Sequence, residues 1–190
     1  MAPVFVDPAK IREFVDADAF YRWLADNHDK ADELWIKIHK VGSGLPSITA
    51  KEAIDVVLCW GWIDGIRKGF DDKSFLQRYT PRGRKSIWSR INVDNVARLI
   101  AEGRMTEHGL AHVAAAKADG RWDAAYASSR TMEMPEDFLL ALGRDTAAAE
   151  FFATLNAANR YAIMFRIVGA KKPETRTRNI EKFVAMLGRG

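Results

Sequence analysis

Residues 62–80 read WIDGIRKGFDDKSFLQRYT, and the way this stretch folds decides the fold. WIDGIRKGF and SFLQRYT are extended runs carrying Trp62, Ile63, Phe70, Phe75 and Tyr79. Between them stand Asp71, Asp72 and Lys73, a composition that suits a tight turn. The stretch therefore predicts a β-hairpin. Its first part, GWIDGIRK at residues 61–68, places a tryptophan, an acid, an arginine and a lysine at the entry to the first strand.

Working outward, ELWIKIHK alternates Leu34, Ile36 and Ile38 with Trp35, Lys37 and His39, the period of a half-buried strand. VGSGLPS follows. It lacks the lysine and Ser/Thr that complete a phosphate-binding P-loop, so its glycines predict a turn. Thr49 and Glu52 form a capping box ahead of AIDVVLCW, a mostly buried helix in which the only cysteine, Cys59, reads as a small buried hydrophobe. Further upstream, DADAFYRWLADNH has helical spacing, and Asp7 with Pro8 predicts a helix running through AKIREFV.

Downstream of Pro81, VDNVARLIAEG predicts a helix with Val93, Val96, Ala97 and Ile100 on one face and Gly103 behind it. TEHGLAHVAAAKADG, PEDFLLAL, AAAEFFATL, RYAIMFRIV and PETRTRNIEKFVAML all read as helices. The fold class is therefore α+β: a small antiparallel sheet with packed helices in the N-terminal part and an all-helical C-terminal part. The division falls into residues 1–104 and 105–190, unless the two form one continuous domain, with an aperiodic break near 120–134.

The chain has 190 residues and a formal net charge of +4. The charge is uneven: residues 61–104 hold 10 basic and 5 acidic side chains, and residues 171–190 hold 6 and 2. Charges interrupt every apolar run, which excludes a membrane-spanning helix of ~18 residues. MAPVFVDPAK has none of the regions of a secretory signal, so a cytoplasmic location is expected.

The strongest ligand-binding signal is TPRGRKSIWSRIN, where Arg82, Arg84, Lys85 and Arg90 surround a helix start whose free N–H groups favour an anion. Combined with GWIDGIRK it gives a candidate pocket of Trp62, Asp64, Arg67, Lys68, Arg82, Arg84, Trp88, Ser89 and Asn92. There Asp64 orients Arg67, Arg82 and Arg84 hold an anionic group, and Trp62 or Trp88 covers an apolar part. In the alternative, enzymatic reading Asp64 is the catalytic candidate, an acid or base, and the arginines stabilise developing charge. No nucleophile partner for Asp64 is evident. His108 and His112 share a helix face, but HGLAH lacks a third ligand, so neither metal nor cofactor is expected. The basic blocks also allow a nucleic-acid surface, disfavoured because aromatic residues do not interleave them. A protein partner is the remaining alternative.

GWIDG, YTPR and SIWSRIN occur in that order, and with GAKKPETRTRNIEKFVAML the chain from about residue 15 to residue 187 resembles the YdeI/OmpD-associated family of bacterial proteins. The resemblance implies a link to bacteriocin protection, stress resistance and association with an outer-membrane porin. It implies no reaction and carries over no catalytic residue. The reading that results is a cytoplasmic protein of protective function that binds a small anionic ligand.

Overall fold

The computed structural model describes residues 4–128 and 132–190, which fall into two compact units, Met1–Ala125 and Tyr126–Gly190. In the first unit the hairpin forms. β1 (Ile11–Arg12), β2 (Leu34–His39), β3 (Trp62–Gly69) and β4 (Ser74–Pro81) make a sheet of order β1-β2-β4-β3. β4 runs antiparallel to both neighbours, with Ile63 opposite Thr80 on one side and Leu34 opposite Tyr79 on the other. Asp71 Oδ1 accepts from the Lys73 N–H at 2.9 Å and closes the turn, as its composition predicts.

GWIDGIRK contains a bulge. The register of β3 shifts between Asp64 and Arg67, which leaves backbone groups without ladder partners. Gln77, buried in β4, serves the bulge: its Nε2 donates to the backbone Gly65 O at 2.9 Å, while its Oε1 accepts from the Arg67 side chain through Nε at 3.0 Å. The polar character of this stretch is therefore in part the stitching of an irregular strand.

α1 (Ala17–Asn27) and α2 (Ala50–Cys59) cover one face of the sheet. Phe20 and Leu24 from α1, Val56 and Val57 from α2, and Leu34, Ile36, Ile38, Trp62 and Tyr79 from the sheet form this core. The capping box of α2 is complete, with Thr49 Oγ1 accepting from Glu52 N at 3.2 Å and Glu52 Oε2 accepting from Thr49 N at 2.8 Å. Two expectations are corrected here. Asp7 does cap Pro8, but the helix is only a 3-10 turn, Pro8–Lys10. The chain then extends because Ile11 and Arg12 pair with the open edge of β2, a non-local gain that local spacing cannot register. Trp35, read as the outer face of a half-buried strand, is also buried, beside β1.

α3 (Arg90–Ala101) starts at Ser89, whose Oγ accepts from Asn92 N at 3.2 Å. It buries Val93, Val96 and Leu99, whereas Ala97 and Ile100 face solvent, so its apolar stripe is one position removed from the expected one. Together with α4 (Glu107–Ala118) it builds a second core of Leu58, Cys59, Trp88, Leu99, Val113 and Ala116. Gly109 of α4 lies directly on the Cys59 carbonyl, where an added Cβ would overlap it.

The second unit is helical: α5 (Glu136–Leu142), α6 (Thr146–Thr154), α7 (Ala157–Val168) and α8 (Pro173–Leu187). Asp145 and Asn156 cap α6 and α7, and Phe138, Phe152, Ile163, Ile167, Ile180, Phe183 and Leu187 form its core. Arg176 grips Asp137 through Nε at 2.6 Å and Nη2 at 2.8 Å. The α+β class, with a helical C-terminal part, is the one the sequence predicts.

Candidate functional site

The sequence-predicted residues separate into two places. At the bulge, Asp64 is exposed and its carboxylate makes no hydrogen bond or ion pair among the described residues. It lies opposite Tyr79, whose buried hydroxyl is pushed well above the usual phenol range, first by burial and then by the Asp64 carboxylate. Arg67 takes its orientation from Gln77 and from the Phe75 ring, 4.4 Å from its guanidinium carbon to the ring centroid. Lys68 Nζ donates to Val4 O at 3.3 Å. Trp62 is buried, with Nε1 donating to His28 O at 3.1 Å.

The basic loop after β4 is organised differently. Arg82 N donates to Gly61 O at 3.0 Å. Its guanidinium, only 4% exposed as a residue, stacks 3.8 Å above the centroid of Trp88, and Nη1 donates to Ile87 O at 3.1 Å. Such a stacked arginine braces the loop through cation–π attraction. Ser89 and Asn92 form the cap of α3. Arg84, by contrast, is exposed, has no hydrogen bond or ion pair among the described residues, and lines a cleft of ≈ 340 Å³ with Ala111, His112, Ala115, Asp119 and Arg121.

Three local features place those side chains. Thr106 caps α4 and donates through Oγ1 to Cys59 O, fixing the start of α4 to the end of α2. Six residues on, His112 packs on Gly61, whose φ of +71° and missing side chain admit the ring. Beyond α4, Arg121 is locked by donation from Nε to both Asp119 oxygens, at 2.9 and 2.8 Å, and from Nη1 to Ser86 O at 2.8 Å. His112 is held below the ordinary histidine range, first by burial and then by the charges of Arg82 and Arg121 and the neighbouring His108.

His108 does not join its i+4 partner in the cleft. Its ring lies 4.0 Å from that of His28 and stacks at 5.9 Å on Trp60. Among the described residues no group of three or more His, Cys, Asp or Glu side chains could hold a metal. Burial pushes the Cys59 thiol up to about 11, so it stays protonated and unreactive at neutral pH. No helix of the described residues is long and apolar enough to cross a membrane.

The places of Arg121 and His112 in the lining of this cleft were not legible in the sequence. The HGLAH spacing located His112 on a helix face, but which ring entered a cleft depended on the packing of Gly61 and Gly109.

The fold and site define an α+β unit with a cationic cleft, followed in sequence by a helical unit. The chain belongs to the family described as Domain of unknown function (DUF8412), matched over residues 12–112. Residues 131–190 match the family described as Bacteriocin-protection, YdeI or OmpD-Associated. The second match bears out the family resemblance and falls on the segment with GAKKPETRTRNIEKFVAML, while GWIDG, YTPR and SIWSRIN lie within the first. No curated protein and no solved structure matches the chain.

Proposed function

We propose that the first unit binds a small anion in the cleft of Arg84, His112 and Arg121, and that protection is exerted through this binding by a cytoplasmic protein. The supporting observation is the convergence of an unpaired guanidinium, an anchored guanidinium and an imidazole on one concavity. Arg121 is already oriented by Asp119 and Ser86, so little side-chain freedom is lost when it meets a ligand. Arg84 supplies the charge with no competing partner. Ala111 and Ala115 give the cleft an apolar wall, so the anionic group can belong to a larger molecule.

Thermal unfolding of the wild type and an Arg84→Gln variant in phosphate tests the reading. A ligand at about 100 times its Kd stabilises the folded state by about 2.7 kcal/mol. Stabilisation of the wild type that is at least halved in the variant supports the site. Equal stabilisation of both places the anion elsewhere, and none in either removes the proposal.

A further inference from the structure

We infer that the ligand of this cleft is a dianionic phosphomonoester, held by its phosphate between Arg84, Arg121 and His112 with its ester body along Ala111 and Ala115; this rests on the anion-binding reading above. Three features of the cleft discriminate among anions.

The first is charge. Arg84, Arg121 and His112 face the cleft against one carboxylate, Asp119, which is already engaged by Arg121 at 2.8 Å. The Arg82 guanidinium, stacked on Trp88, adds to the positive field felt by His112. A dianion matches this field better than a monocarboxylate does.

The second is direction. The donors come from three elements: the loop after β4, the body of α4 and the turn beyond it. A planar carboxylate presents two oxygens in one plane, whereas a phosphate presents three terminal oxygens pyramidally and can accept from all three walls at once. The third is room. The ≈ 340 Å³ cleft exceeds what a bare phosphate fills, and its remaining wall is the methyl groups of Ala111 and Ala115. Asp119, which also lines the cleft, can accept from a hydroxyl on the ester body.

Binding also moves a proton. The charged and titratable groups that act on His112 are Arg82, Arg121 and His108, and Arg84 and Asp119 line the same cleft. The positive groups around the imidazole oppose its protonation. A bound dianion offsets them, so the ring takes up a proton as the complex forms.

Calorimetric titration of the full chain near neutral pH with glycerol 3-phosphate, inorganic phosphate, sulfate and acetate decides the class. Each titration is run in two buffers of different ionisation enthalpy to read proton uptake. The expected order places glycerol 3-phosphate tighter than phosphate, phosphate close to sulfate, and acetate at least tenfold weaker than all three. Proton uptake with sulfate, which itself takes no proton at this pH, is expected to vanish in His112→Asn. The exposed Arg84→Gln, which leaves the fold intact, is expected to weaken every tetrahedral anion at least tenfold. Acetate binding as tightly as phosphate, glycerol 3-phosphate binding no tighter than phosphate, or sulfate binding without proton uptake each overturns this inference while leaving an anion cleft standing. Absence of binding by all four removes both readings together.

Discussion

His112 rests on Gly61: the ring occupies the space a side chain would need, and a Cβ added at Gly61 would overlap Cδ2 and lie 3.1 Å from Nε2. The glycine that opens GWIDGIRK is therefore a seat for a cleft residue brought from α4. Gly61→Ala combines a left-handed backbone with this overlap. It is expected to cost about 2–4 kcal/mol in urea unfolding and to weaken phosphate binding. Gly69→Ala, with nothing within 4 Å of the added Cβ, is the control and should change stability by less than about 0.5 kcal/mol.

A pH effect follows from the same ring. His112 is held below its unfolded value of 6.5, so the unfolded chain binds more protons between the folded and unfolded values, and stability rises with pH across that window. This contribution is complete above 6.5 and is lost as pH falls through the lower folded value. Unfolding free energies at about pH 7.5 and about pH 5 should differ less in His112→Asn than in the wild type.

The start of α4 offers a third check. Thr106 Oγ1 accepts from Gly109 N at 3.2 Å and donates to Cys59 O, so one hydroxyl both caps the helix and joins it to α2. Thr106→Ala should destabilise by about 1–2 kcal/mol. Thr106→Ser, which keeps the hydroxyl, should restore most of that loss in the same denaturant titration.

Asp55 and Arg98 form an asymmetric pair at 2.6 Å, with the carboxylate nearly buried and the guanidinium more than a third exposed. Removing the arginine strands a buried charge, at a cost of about 3 kcal/mol after allowance for Arg98 exposure. Asp55→Asn leaves an arginine that water can solvate and retains a polar group at the buried position. Arg98→Ala should therefore lower the urea midpoint more than Asp55→Asn does.

Much of the fold was legible because its signals are local. The Asp-Asp-Lys turn between two extended runs and the Thr49–Glu52 capping box each act within a few residues. What escaped was set at a distance. Ile11 and Arg12 became a strand because β2 had an edge to offer, and Leu99 displaced Ala97 and Ile100 from the buried stripe because α3 meets Trp88 and Val113 across a second core. Of the proposed site residues, Arg84 was visible as part of a basic loop, whereas Arg82 and Trp88, which read as ligand contacts, instead stack on each other. Asp64 and Arg67 straddle a bulge stitched by Gln77, an irregularity that residue type alone does not announce. Arg121 carries no motif; it matters because Asp119 and Ser86 aim it.

The central claim, that Arg84, His112 and Arg121 enclose an anion, is tested most directly by ring-nitrogen NMR of the protein labelled with 15N-histidine during a phosphate titration. The account predicts a saturable change of the His112 ring toward the protonated form, with His28, His39 and His108 moving far less, and loss of that change in Arg84→Gln. Saturable phosphate binding that leaves the His112 ring unmoved, or no binding at all, would contradict it.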